Sequence, residues 1–286
     1  MKKTTLTFMA LAATLGASNA ALILHSTLDN TDVGAGAGSD TTSAGAYTVV
    51  DSIAANNGTA ENVIDGGATG TNHVTSGVAG QHGQALSFDR GGVSNNRAVQ
   101  YGDIHDIGTG DYSVTMWFNT STTSTLQFLG SKGNAGSTSI GWSIFIESNT
   151  LITRLGGGGT GNRASQRVSI SGEADAWHHV AFVIDNTAGS VTSYLDGSNT
   201  GWTSGGGGPS GNTFTAGTDI SDGSQLRLGI AGNGTGEFRG ELDDFRIYNE
   251  ALDGAGVAAS MVAIPEPSST ALLGLGGLAL ILRRRK

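Results

Sequence analysis

The chain has no cysteine, so no disulfide can stabilise it, even in an oxidising compartment. Its stability must therefore come from a hydrophobic core, with or without a bound metal. Basic residues are also few, because 15 Lys and Arg stand against 24 Asp and Glu and leave a net charge of −9. Nucleic-acid binding needs concentrated positive charge. The composition therefore argues against a nucleic-acid partner and fits a solvated or cation-binding surface.

Long hydrophobic runs are missing as well, but a short one lies near the amino terminus. Two lysines precede an apolar run over residues 6–15, and residues 18–20 are the small or polar residues Ser, Asn and Ala that a signal peptidase reads. The run is too short for a retained membrane anchor. Residues 1–20 are therefore predicted to be a secretory signal peptide, cleaved after Ala20.

A second short apolar run, residues 271–282, lies between Pro265-Glu266-Pro267 and a basic cluster at residues 283–286. A helix over residues 268–282 would be about 22 Å long against a hydrocarbon core of about 30 Å, so it would span a membrane only marginally. The basic cluster would stay cytoplasmic and leave the rest of the chain outside.

This ending, residues 263–286, resembles the PEP-CTERM sorting signal of exopolysaccharide-producing Gram-negative bacteria. The resemblance implies that a membrane-embedded exosortase processes the tail near Pro265, Glu266 and Pro267. It also implies transient anchoring in the inner membrane by a short transmembrane helix, and delivery to the cell surface or extracellular matrix. An ordinary tail anchor is the alternative, and it explains the apolar run and the basic end but not the Pro-Glu-Pro triplet.

Glycine is abundant, with 47 residues, and Ser, Thr and Asn are frequent, which suits short strands joined by turns. Apolar and polar residues alternate at 83–89 and 111–119, as in strands with one buried face. Asp196-Gly197 is typical of a two-residue hairpin turn. Turn residues recur at roughly ten-residue intervals, as a sandwich requires. The pattern predicts an all-β protein, and 286 residues allow one large β domain or two small ones.

Two motifs resemble the laminin G-like domains of the concanavalin A-like lectin/glucanase superfamily. The first is Asp-Asp-Phe-Arg-Ile-Tyr-Asn-Glu-Ala-Leu at residues 243–252, and the second is Trp-His-His-Val-Ala at 177–181 with Tyr-Leu-Asp-Gly at 194–197. The resemblance implies a jelly-roll β-sandwich of two antiparallel sheets, a single domain over residues 21–262.

Four oxygen-bearing residues are predicted to bind a structural calcium ion. Asp243 shares the parity of the buried Phe245 and Ile247, and an inward carboxylate must be hydrogen-bonded, paired or bound to a cation. Residues 51–59 are similar to an Asp- and Asn-rich loop of the resembled family, and such oxygens suit calcium. The family resemblance implies a calcium on this side of the sandwich. The predicted ligands are Asp29, Asp51, Asn57 and Asp243. The alternative for the loop is a turn in which Asp51 and Asn57 bond only backbone amides.

The tryptophans divide by context. Trp117 and Trp177 lie in alternating segments and are predicted to be core residues. Trp142 and Trp202 lie beside glycine-rich segments, where an exposed indole would stack on a sugar ring. They are the predicted carbohydrate-binding residues.

The catalytic signature of related glucanases, Glu-x-Asp-x-Glu on one strand, is not complete in this sequence. Its nearest approximation is Glu-Leu-Asp-Asp-Phe at residues 241–245, and the final Phe can neither donate a proton nor attack an anomeric carbon. The sequence therefore predicts a non-catalytic module that binds a polysaccharide, foremost the exopolysaccharide of a biofilm matrix. One alternative is a structural or adhesive surface protein without a small ligand. The other is a divergent glycoside hydrolase or lyase that uses distant carboxylates such as Glu147 and Asp185.

Overall fold

The computed structural model describes residues 21–29, 47–63, 74–88, 96–133, 139–159, 163–204 and 211–264. The predicted signal peptide, the Pro-Glu-Pro triplet and the apolar run that follows it lie outside these residues. Within them, every helix is too short or too polar to cross a membrane.

The described residues form two antiparallel sheets. The seven-stranded sheet has the order β13-β12-β7-β16-β5-β4, with β1 also paired to β16, and the nine-stranded sheet has the order β14-β11-β10-β9-β8-β15-β6-β3-β2. The strands are β1 Leu22–Ser26, β2 Tyr47–Val49, β3 Gly58–Val63, β4 Val74–Ala79, β5 Gln84–Phe88, β6 Asn96–Gly102, β7 Tyr112–Thr120, β8 Gln127–Gly133, β9 Ile140–Glu147, β10 Thr150–Gly157, β11 Arg163–Ser169, β12 Trp177–Asp185, β13 Ser190–Leu195, β14 Thr203–Ser204, β15 Leu226–Leu228 and β16 Gly240–Tyr248.

The main core lies between the two sheets. It is built from alternate residues of each strand, because period two sends every second side chain inward. Phe118 and Ile247 come from the seven-stranded sheet, and Trp142 and Leu155 come from the nine-stranded sheet. The predicted all-β sandwich of two antiparallel sheets is thus confirmed.

A second, smaller core lies on the outer side of the seven-stranded sheet. The described helix, α1 Gly254–Ser260, begins after Asp253, whose side chain accepts a hydrogen bond from the amide of Gly256. Such a cap satisfies one of the free amides of the first turn. Val257 of the helix then packs with Tyr248 and Val183 of the sheet.

The predicted inward parity of Asp243 is wrong. A β-bulge interrupts the pairing of β16 with β7 between Asp243 and Arg246, and Asp244 at the bulge has φ 52°. The extra residue shifts the alternation, so Leu242 points into the main core in place of Asp243. Asp243 is nevertheless fully buried, on the outer side of the sheet, where it lies opposite Trp117.

Candidate functional site

An edge cavity of about 400 Å³ lies where β1 and β16 run side by side. Three carboxyl groups, two imidazoles and the segment that follows α1 surround it. The lining residues are His25, Thr27, Asp29, Gln81, His82, Gly83, Asp243, Asp244, Ala263 and Ile264.

Asp244 is the centre of a buried ion-pair network at this cavity. The Arg246 guanidinium donates from Nε to Asp244 Oδ1 at 2.8 Å and from Nη2 to Oδ2 at 2.5 Å, and His25 Nε2 lies 2.8 Å from Oδ1. Burial opposes ionisation of Asp244, but hydrogen bonds from His25 and Arg246 outweigh it and lower the pKa of the carboxyl group. Asp244 is therefore an ionised, fully paired group.

Asp243 has the opposite electrostatic character. Its Oδ2 accepts a 2.7 Å hydrogen bond from the backbone amide of His82, whereas its Oδ1 is buried with no partner among the described residues. Burial, with the charges of Asp244 and Asp29 nearby, raises the pKa of Asp243 to about 8. Asp243 is therefore protonated at neutral pH.

The same network holds the end of the described chain. Arg246 Nη2 donates to the carbonyl of Val262 at 2.7 Å, and His82 Nε2 donates to the carbonyl of Met261 at 2.9 Å. Residue 265, the start of the Pro-Glu-Pro triplet, follows three positions later. The edge cavity thus holds the last described residues before the triplet.

The four predicted calcium ligands do not come together, so the predicted four-residue site is wrong. Asp29 and Asp243 share the edge cavity, but Asp51 and Asn57 do not line it. Asp51 Oδ1 accepts from the amides of His25 and Ile53, at 3.1 and 3.0 Å, and Asn57 Oδ1 accepts from the amide of Asp51 at 3.0 Å. These bonds form the turn that was the alternative for this loop. The described residues contain no group of three or more His, Asp or Glu side chains suited to a metal.

Calcium binding at Asp29 and Asp243 stays a prediction. An ion bound only by the folded protein raises the melting temperature in proportion to the logarithm of its concentration. The check is the melting temperature in millimolar CaCl2 and in EGTA, with Asp243→Asn as the variant that removes one ligand. Equal melting temperatures in the two buffers would eliminate the ion.

The prediction that Trp142 presents an exposed indole is wrong. Trp142 alternates with Gly141 and Ser143 on β9, so its ring points between the sheets and has 0% exposure. A ring with no exposed face cannot stack on a sugar. Trp202 packs partly against the main core and keeps some exposed surface, so its role in sugar binding stays a prediction.

The outer face of the nine-stranded sheet carries a continuous row of polar side chains that sequence reasoning missed. Directly paired positions on six successive strands form this polar row. Its members, in strand order, are Ser165 of β11, Arg154 of β10, Ser143 of β9, Ser131 of β8, Arg227 of β15 and Gln100 of β6. Because Trp142, Leu155 and Leu228 point inward, these intervening residues point outward.

Two further rows flank the polar row. The glycine row begins at Arg163 and continues with Gly156, Gly141 and Gly133 on the next three strands. A side chain at Gly141 is impossible, since a Cβ there would lie 2.0 Å from the carbonyl oxygen of Lys132.

The apolar row lies on the other side of the polar row. It consists of Arg167, Ile152, Phe145 and Phe128 on successive strands. The two phenyl rings stack at 4.9 Å, and Arg154 Cζ lies 4.8 Å above the ring of Phe145. We call the three rows together the outer-face groove. Its serines and glycines are buried, whereas Arg154, Arg167 and Arg227 are partly exposed, and the carboxylate of Asp222 occupies the space next to Gly133.

The two antiparallel sheets, with the main core between them, place the protein in the class of jelly-roll β-sandwiches. The chain belongs to the concanavalin A-like lectin/glucanases superfamily, because the laminin G model of that superfamily matches residues 93–258. Residues 263–286 match the PEP-CTERM protein-sorting motif, which includes Pro265, Glu266 and Pro267. A comparison with curated proteins found no significant match.

Solved structures share the fold at low sequence identity. The binding domain of botulinum neurotoxin serotype C1 has a TM-score of 0.53 at 15% identity, and the serotype G binding domain has 0.52 at 14%. Each match covers 84% of this chain, which spans about half of those chains, 51% and 50%. Domain 4 of AbnA, a GH43 extracellular arabinanase from Geobacillus stearothermophilus solved with arabinotriose, has a TM-score of 0.48 at 20% identity. That match covers 84% of this chain and 98% of the arabinanase domain.

Proposed function

We propose that this protein is an exported surface or matrix protein whose sandwich binds a polysaccharide without cleaving it. The family and the sorting motif support this proposal, because the superfamily is one of lectins and glucanases and the motif belongs to a protein-sorting pathway. The observation that carries it is the outer-face groove, whose polar row crosses six strands and includes the partly exposed Arg154, Arg227 and Gln100.

The groove favours binding over hydrolysis. Glycoside hydrolysis requires two carboxyl groups that flank the scissile bond. Glu147 is the one acidic residue in β8, β9, β10, β11 and β15. Asp185, the second carboxylate of the hydrolase hypothesis, lies on the other sheet, where its Oδ1 accepts from the amide of Ala188.

The edge cavity favours a structural role over catalysis. Asp243 and Asp244 have pKa values shifted in opposite directions, which is the pattern of an acid and a base in glycosidases. Yet Asp244 is held by Arg246 and His25, and Asp243 has 0% exposure. Neither carboxyl group is open to a substrate.

The proposed route to the surface uses the tail. The segment 271–282 anchors the protein transiently in the inner membrane, and an exosortase processes it near Pro265-Glu266-Pro267. Arg246 and His82 hold the carbonyls of Val262 and Met261, and the triplet begins three residues after Val262. The organism class that this route implies is an exopolysaccharide-producing Gram-negative bacterium.

One experiment on the native protein tests the proposal. The protein is isolated from the cell surface, its mass is measured to locate the carboxyl terminus, and it is applied to a glycan array and to purified matrix polysaccharide. We expect retention on at least one glycan, with no release of reducing sugar from any polymer. Retention on no glycan, with loss of biofilm cohesion on deletion of the gene, would favour a purely structural surface protein instead.

A further inference from the structure

We propose that the outer-face groove binds an acidic polysaccharide, with Arg154, Arg163, Arg167 and Arg227 contacting its carboxylate or sulfate groups. The inference rests on the proposed function and names the class of glycan. No prediction from the sequence assigned these arginines a role.

The four arginines lack the partners that the other buried basic residues have. Arg97, Lys132 and Arg246 each form an ion pair with a carboxylate. The guanidinium groups of Arg154, Arg163 and Arg167 neither pair with a described carboxylate nor donate a hydrogen bond to a described residue. Arg227 donates only to the carbonyl of Gly232 and to Gln225.

Each of the four side chains has a buried donor with no hydrogen-bond partner among the described residues. These donors are Nε of Arg154, Nη1 of Arg163, Nε of Arg167 and Nε of Arg227. Arg163 is only 6% exposed. A buried guanidinium without an acceptor is costly, and a bidentate oxyanion is the acceptor that its planar donors fit best. The unsatisfied donors therefore point to an anionic ligand.

Like charges also crowd this part of the groove. Arg163 and Arg167 lie four residues apart on β11, and Arg154 lies between them on β10. Burial and the charge of Arg163 lower the pKa of Arg154, and the charge of Arg167 adds to this effect, whereas the charge of Glu147 opposes it. A chain with net charge −9 would have no general attraction for a polyanion, so this local excess of positive charge is specific to the groove.

The spacing suits an extended ligand. Arg154 and Arg227 are separated by three strand steps, roughly 14 Å at about 4.8 Å per step. Between them lie the buried Ser143 and Ser131, and the Ser131 hydroxyl donates to the carbonyl of Ile230. A saccharide chain that crosses the strands would therefore meet a positive group at each end of this span.

The test measures binding by the purified full-length chain to three polymers. Polygalacturonate oligosaccharides supply carboxylates, dextran sulfate supplies sulfates, and dextran is neutral. We expect binding to one or both acidic polymers but not to dextran, with an affinity that falls as NaCl rises. Arg154→Gln and Arg163→Gln should each weaken the binding about tenfold or more, since a hydrogen bond to a charged group is lost. The matched control is Arg239→Gln, an arginine outside the groove, and it should leave the affinity unchanged.

The outcomes separate this inference from the proposed function. Equal binding of dextran and the acidic polymers, unaffected by salt or by Arg154→Gln, would overturn the acidic ligand and leave carbohydrate binding standing. If the protein binds single-stranded DNA as tightly as the acidic polymers, and Arg154→Gln weakens both equally, the ligand is not specifically a saccharide and the assignment would be overturned. Retention of no glycan, acidic or neutral, would overturn both. If a variant proves unstable by circular dichroism, the salt dependence of the unmodified chain decides.

Discussion

Replacing Arg246 by alanine is expected to lower the free energy of unfolding by about 3–5 kcal/mol, because Asp244 would be left as an uncompensated buried charge. Arg246 is 2% exposed and donates two hydrogen bonds to Asp244 and one to the carbonyl of Val262. The loss is measured as the free energy of unfolding in urea at pH 7. The same variant should make the chain after α1 more susceptible to proteolysis, since one of its two hydrogen-bonded anchors is lost.

Arg239→Ala is the matched control for this prediction. Arg239 is partly exposed, and hydrogen bonds to the residue involve its backbone amide and carbonyl. We expect a change within about 0.5 kcal/mol, as for most surface substitutions. If Arg246→Ala were as mild as this control, the Asp244 network would not be a main support of the edge where β1 meets β16.

Replacing Asp243 by asparagine is expected to stabilise the fold at pH 8 while leaving it nearly unchanged at acid pH. The folded pKa of Asp243 is raised to about 8 by burial. In the unfolded chain the group ionises near pH 4, so between these values the folded state binds one more proton and stability falls as pH rises. Asparagine imitates the protonated carboxyl group and does not titrate. The difference in unfolding free energy between variant and unmodified protein should therefore grow by about 3 to 4 kcal/mol from pH 5 to pH 8.

The effect of Asp243 on the free energy of unfolding is obtained as the difference between Asp243→Asn and the unmodified protein at each pH, because other groups also titrate. Burial lowers the pKa of His179 to about 4, and a histidine with a lowered pKa makes stability rise with pH between about 4 and 6.5, opposite to Asp243. Asp175→Asn serves as control, because it makes the same chemical change at a turn outside the edge cavity. A difference that stays constant with pH would mean that Asp243 is ionised in the folded protein, which calcium at the edge cavity would also cause.

The sequence predicts the strands well where alternation is regular. The segment 111–119 becomes β7, and Asp196-Gly197 forms the predicted two-residue turn, with φ of 50° and 75°. Both follow from local rules, since period two and positive φ depend on neighbouring residues only. The strand β11 was not predicted, because the polar Gln166 occupies an inward position between Ala164 and Val168 and obscures the alternation.

The candidate sites depended on contacts that no local pattern records. The bulge at Asp244 turns the Asp243 side chain to the outer side of the sheet. The alternation of apolar and polar residues in the sequence does not indicate where a bulge occurs. Trp142 lies next to Gly141, yet it fills the core because β9 is a central strand with both neighbours paired.

The sequence alone determined that the chain carries a sorting motif at residues 263–286 and that its body alternates as strands of a sandwich, because short stretches of residues define these features. The export signal at residues 1–20 stays a prediction. The tertiary structure decided which strands are neighbours. It placed Arg227 beside Ser131 and brought Ser52 to β1, pairings between segments far apart in the chain. Strand order depends on how the whole chain closes its core, so the outer-face groove and the Asp244 network exist only once that core has formed.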